Sequence, residues 1–158
     1  MAKVKFQTSF FLSLLFLIFV GFVSYAAADN PATREGNFSP ITEPRKVESE
    51  GSFFYMIDVA KLAEMLKKKD FLFINVHIPY EGEIEKTDIF IPFNGIEQNL
   101  IKLPADKNAK IVLYCRTDRM SKIAAHTLVG VGYKNVWLVE GGMVKWKKKG
   151  YKLLHKDQ

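Results

Sequence analysis

From Phe53 onward, short apolar runs alternate with amphipathic stretches, the pattern of strands alternating with helices. Phe53 to Ile57 reads as a strand, and Asp58 after it can cap a helix through its side-chain oxygen. Val59, Leu62, Ala63 and Leu66 recur at helical spacing and give that helix one buried face. Phe71 to Val76 is a buried strand, Ile89 to Ile91 a shorter one stopped by Pro92, and Asn94 to Leu100 a small helix ended before Pro104. Lys110 to Tyr114 is the strongest strand signal in the chain, and Cys115 stands at its end. Ser121 to Val131 reads as a helix with Ala124, Leu128 and Val131 on one side. Val136 to Val139 is the next strand. Gly141 and Gly142 then turn the chain into a last helix, Met143 to Lys149, stopped by Gly150. This alternation predicts an α/β domain with parallel strands and helices on both faces of the sheet. Ligands in such folds bind outside the carboxyl ends of the strands, where Cys115 lies.

The amino-terminal part reads differently. Lys3 and Lys5 precede an apolar run of 14 residues, Phe10 to Val23, and Ser24 to Ala28 supply small residues for a cut after Ala28. That order predicts a signal peptide over residues 1–28 and an exported protein, periplasmic or extracellular. An uncleaved anchor through residues 6–28 is the alternative, because that longer stretch reaches the length of a membrane span. Residues 29–52 are polar and broken by Pro31, Pro40 and Pro44, and read as a flexible linker. The folded domain is placed at 53–151, with a carboxyl-terminal tail at 152–158.

Charge narrows the partners only a little. The net charge is +6, and +4 without Lys3 and Lys5. Lys67-Lys68-Lys69 and Lys147-Lys148-Lys149 carry much of the excess, with no base-reading residues between them, so they read as solvated helix ends and not as a nucleic-acid surface. Three dispersed histidines and one cysteine make no metal site, and no cofactor motif is present. His126 and His155 have no assigned role. Glu81, Glu83 and Glu85 read as a solvated loop, and Trp146 as core.

Cys115 is the only cysteine, so an internal disulfide is excluded. It is buried and inert, paired with another chain, or a reactive thiol. The segment Cys115-Arg116-Thr117-Asp118-Arg119-Met120-Ser121 joins a strand to a helix. Backbone N–H groups at a helix start favour an anion, such as a thiolate or a bound oxyanion, and the arginine forks at 116 and 119 match oxyanions. The plain alternative, a small hydrophobe at a strand end flanked by surface arginines, stays open at this point.

The run Ile111 to Ser121 resembles the active-site loop of rhodanese domains. Val136 to Trp146 resembles that family's carboxyl-terminal signature, a double glycine with a tryptophan four residues after the second. Phe73 to Pro79 occupies the place of the family's Asp-Val-Arg strand end, with Asn75 and His77 in place of the Asp and Arg. The resemblance spans about Phe53 to Tyr151. It implies a three-layer α/β/α domain around a five-stranded parallel sheet, and a sulfurtransferase working by double displacement. Cys115 is then the nucleophile, carrying sulfur from a small anionic donor such as thiosulfate to a cyanide, thiol or protein acceptor. Arg116, Thr117, Asp118, Arg119 and Met120 form the anion-cradling loop, Ser121 opens the helix behind it, and Asn75 and His77 support the loop. The family often has arginine at the place of Met120, where this chain has Arg119 one residue earlier. Two alternatives are a persulfide carrier or partner-binding module, and a phosphatase or arsenate-reductase-like enzyme. The latter needs an arginine after five intervening residues, where this chain has Ser121. A monomer is expected.

Overall fold

The computed structural model describes residues 43–49 and 51–156. The predicted leader, residues 1–28, lies outside them, as does the first part of the linker.

Six strands, β1 (Arg45–Ser49), β2 (Ser52–Ile57), β3 (Leu72–Asn75), β4 (Ile89–Phe90), β5 (Ile111–Tyr114) and β6 (Val136–Val139), form one sheet in the order β1-β2-β6-β5-β3-β4. Helices α1 (Val59–Lys67), α2 (Arg119–Gly130) and α3 (Gly142–Lys148) follow β2, β5 and β6. Five strands are parallel, as the alternation of elements predicts. The sixth corrects the expected five-stranded sheet. β1 lies inside the segment read as linker and pairs antiparallel with β2, Val47 opposite Phe54. Its sequence is mostly polar because it is an edge strand, held by the ladder to β2 and by Val47, which packs against the core.

Side chains of β5 alternate between two apolar layers, as a strand's period of two requires. Ile111, Leu113 and Cys115 join the core that α2 covers with Ala124, Ala125 and Leu128. Val112 and Tyr114 join the opposite core, which α1 covers with Leu62 and Leu66 and α3 with Met143 and Trp146. This is the three-layer α/β/α arrangement. All four residues of β5 are fully buried, and each such aliphatic side chain contributes about 1.5–3 kcal/mol. β5 is therefore a rigid base for the residue that follows it.

Local signals explain most boundaries. Asp58 Oδ1 accepts from Lys61 N at 2.8 Å and starts α1. The predicted helix at 94–100 is a 3-10 helix shifted to Glu97–Lys102, with Asn99 out of helical geometry and its side chain donating to Gly95 O. The tail is partly docked: Leu154 bridges Glu83 through two backbone bonds of 2.8 Å, and Lys152 O accepts from Trp146 Nε1. Glu83 is accordingly buried and paired with Lys156, which corrects the reading of that loop as fully solvated. The tail's backbone closes over Glu83, and Lys156 supplies its counter-charge.

Glu140, at the end of β6, accepts from Lys145 Nζ at 2.9 Å and Arg45 Nη2 at 3.3 Å, tying α3 to the edge strand. The hydrogen bond from Lys145, against a smaller opposing effect of burial, holds its carboxyl below the usual glutamate range, and the charges of Lys145 and Arg45 add to this. A carboxyl lowered on folding adds stability above its unfolded pKa and loses it as pH falls through the folded one. Glu140→Gln should lower the melting temperature at neutral pH, by an equivalent of up to about 1 kcal/mol. The gap from the parent should close in acid; a gap independent of pH in thermal melts would refute the charge-based account.

Candidate functional site

Cys115 follows β5 directly and keeps its alternation, so its side chain turns toward α2 and is only 1% exposed. The connection to α2 is shorter than expected. The helix begins at Arg119, two residues before the predicted Ser121, because Asp118 O already accepts from Lys122 N at 2.9 Å. The loop proper is Arg116, Thr117 and Asp118.

Ser121 therefore sits in the first turn of α2, fully buried, with Oγ 3.6 Å from Cys115 Sγ. Its hydroxyl donates to Asp118 O at 3.0 Å. A thiol can donate to that hydroxyl, and the hydroxyl can rotate to donate to a thiolate, so the contact serves both protonation states of the sulfur. Ser121 is also the residue that stands where a Cys-x5-Arg phosphatase loop needs its arginine.

The other loop residues separate by position. Arg116, Thr117 and Arg119 are exposed, with Arg119 the first residue of α2. Met120, expected in the anion cradle, is half-buried and packs on the core beneath α2. That packing follows from the early helix start, which turns Met120 inward. Asp118 braces the loop from within, its Oδ1 accepting from Gly141 N at 2.7 Å.

The double glycine shapes the loop from the other side. Met143 N donates to Cys115 O and Val144 N to Arg116 O, both at 3.0 Å. Gly142 has φ +48°, and a Cβ there would lie 2.1 Å from Cys115 O and 2.6 Å from Thr117 O. The first turn of α3 thus holds the loop through backbone donors, over a glycine that leaves room for its carbonyls. Gly141, Gly142, Met143 and Val144 were not among the sequence-predicted site residues, although the double glycine gave the signal.

Asn75 and His77 lie at the end of β3, beside β5. Asn75 is fully buried; it donates to Gly82 O at 3.1 Å and accepts from His77 N at 3.0 Å, closing the 77–82 loop. Tyr114 supports the next stretch, its hydroxyl accepting from Ile84 N and sharing a 2.7 Å hydrogen bond with Thr87, and burial pushes that phenol well above its usual range. Glu81, exposed on the 77–82 loop, stands 3.5 Å from His77 Nε2 and 3.3 Å from Arg116 Nε. Sequence spacing gave no sign of that pairing, since Glu81 and Arg116 meet only when β3 and β5 lie side by side. A separate cavity of about 480 Å³, lined by Phe53, His126 and Tyr133 among others, opens near the amino-terminal end of β2 and does not include Cys115.

The family model described as Rhodanese-like domain matches residues 58–149. The tRNA uridine(34) hydroxylase of Hamiltonella defensa subsp. Acyrthosiphon pisum (strain 5AT) is 35% identical over 89 residues, covering 52% of this chain and 25% of that protein. The protein of the same name from Escherichia coli (strain K12 / DH10B) is 29% identical over 99 residues, covering 59% and 28%. The chain thus spans about a quarter of the length of these curated relatives. Among solved structures, a rhodanese-related protein from Thermoplasma volcanium superposes with a TM-score of 0.55 at 27% identity, covering 64% of this chain and 98% of that one. The polysulfide-sulfur transferase homodimer from Wolinella succinogenes gives 0.53 at 26% identity, covering 65% and 80%.

Proposed function

The chain belongs to the rhodanese-like domain family, and from that premise we propose that it is a sulfurtransferase that moves sulfane sulfur through a persulfide on Cys115. The observation that carries this reading is the placement of Cys115 Sγ at the carboxyl end of β5, against Ser121 at the start of α2.

In the first half-reaction the Cys115 thiolate attacks the outer sulfur of thiosulfate. A new S–S bond forms, the old one breaks with its electron pair, and sulfite leaves. In the second half, cyanide or a thiolate attacks the outer persulfide sulfur and returns Cys115 as a thiolate. Both steps bring two anions together. Backbone N–H groups at the start of α2, with Arg116 and Arg119, offset that repulsion. The hydroxyl of Ser121 stabilises the thiolate as it is regenerated.

The similarity to the polysulfide-sulfur transferase of Wolinella succinogenes supports sulfane-sulfur chemistry over phosphate chemistry, as does Ser121 in place of the phosphatase arginine. Together with a leader over residues 1–28, the proposal places this chemistry outside the cytoplasm, with a small anionic donor and a thiol or protein acceptor.

The test is thiosulfate:cyanide transfer by the purified chain, followed as thiocyanate, with mass spectrometry of the protein after thiosulfate alone. Steady turnover and a mass gain of one sulfur atom on the peptide containing Cys115 are expected. A folded, reduced protein that neither gains sulfur nor turns over would overturn the thiosulfate reading. Gain of sulfur without turnover would instead identify a persulfide carrier.

A further inference from the structure

Glu81 stands between two partners at the mouth of the Cys115 loop. Its Oε1 lies 3.5 Å from His77 Nε2, and its Oε2 lies 3.3 Å from Arg116 Nε. The His77 side chain is only 7% exposed, and neither ring nitrogen makes a hydrogen bond. The imidazole therefore abuts one carboxylate oxygen from the buried side while the other faces Arg116. Glu81 and Arg116 are 44% and 59% exposed, so both charges can be reached from solvent.

This arrangement changes what Arg116 can bind. Arg116 is the residue after the nucleophile, and its side chain is exposed. A dianion such as thiosulfate approaching it also meets the Glu81 carboxylate, and must displace it to use the guanidinium fully. A ligand with its own neighbouring positive and negative groups has no such conflict. Its carboxylate can pair with Arg116 and its ammonium with Glu81, leaving both protein charges matched. An α-amino-acid group carries that pair of charges on one carbon.

We propose that Glu81 and Arg116 are a specificity-determining pair that selects persulfide donors bearing an α-amino-acid group, of the cysteine persulfide type, over thiosulfate. The inference rests on the Cys115 persulfide reading and names its substrate class. The step balances without an outside redox partner. The Cys115 thiolate attacks the outer sulfur of R–S–SH, a new S–S bond forms, the donor's S–S bond breaks, and the donor leaves as the thiolate R–S⁻. The proton stays on the transferred sulfur.

The experiment compares kcat/KM for sulfur loading from cysteine persulfide and from thiosulfate, in the purified chain and in Glu81→Gln and Glu81→Asp. Glu81→Gln should improve thiosulfate about fivefold and weaken cysteine persulfide about fivefold, as expected for gaining or losing one solvent-exposed charge contact. The change should fall mainly in KM, because the pair holds a part of the donor that does not react. Glu81→Asp, which keeps the charge, should keep the parent's order of preference. A donor ratio that Glu81→Gln leaves unchanged, or moves toward cysteine persulfide, overturns the proposal while leaving Cys115 chemistry intact. If neither donor loads sulfur onto Cys115 in the folded parent, the sulfur-transfer reading falls and this one falls with it.

Discussion

Replacing Cys115 with alanine is expected to abolish both thiocyanate formation and the gain of sulfur, in a protein that still folds. The chain has no second cysteine, so no neighbouring thiol can take over. The structural cost is small because the substitution removes one heavy atom from a site that is 1% exposed. By comparison with loss of one buried methylene, that is about 1 kcal/mol, or a fall of about 5 °C in melting temperature for a domain of this size. The loop keeps its shape, since Met143 N bonds to the backbone oxygen of residue 115 and not to its side chain. Circular dichroism and a thermal melt would document the fold, and thiocyanate release the activity. Turnover near the parent's rate in Cys115→Ala would remove this residue from the mechanism.

Gly142→Ala is expected to damage stability and activity together. The alanine would have to hold φ near +48° and place its Cβ against two backbone oxygens, those of Cys115 and Thr117. Backbone cannot swing aside as the tip of a flexible side chain can, so the loop and the start of α3 must separate. The left-handed conformation costs about 1 kcal/mol, and two lost backbone hydrogen bonds, to Cys115 O and Arg116 O, about 1 kcal/mol each. A loss near 3 kcal/mol corresponds to a melting temperature about 15 °C lower. Moving the nucleophile by a fraction of an ångström to an ångström should reduce kcat/KM by about a hundredfold. Gly150→Ala is the control: its φ is +88°, but nothing lies within 4 Å of the added Cβ. It should show the strain alone, with parental kinetics. Equal behaviour of the two variants would refute the idea that Gly142 shapes the loop.

The sequence carried the elements whose own side chains decide their structure. The apolar run before Cys115 marks β5 because all of it is buried, and Asp58 marks the start of α1 because the cap is local. The double glycine marked a turn, though not what it turns around. β1 was illegible, since Arg45–Ser49 has one apolar residue, Val47, and takes its strand form from a ladder to β2 that no local signal announces. The same holds for Asp118, whose partner Gly141 is 23 residues away. Glu81 and Glu83 were read together as solvated, and only the packed chain separates them: one faces Arg116, the other lies under the bridge to Leu154. Contacts made across the sheet belong to no window of sequence.

The way the loop is held has a consequence for how such a protein can change. Its path is fixed by donors from Gly141, Met143 and Val144 that are backbone N–H groups. Two of the acceptors, the oxygens of Cys115 and Arg116, are backbone as well. The side chains of Arg116 and Thr117 point outward and take no part in that scaffold. Mutations at these two positions can therefore alter which donor is welcomed without disturbing the nucleophile's seat. Chemistry and taste are encoded in separable places, so a lineage, or a library built at positions 116 and 117, can explore new sulfur sources while the reaction itself is inherited unchanged.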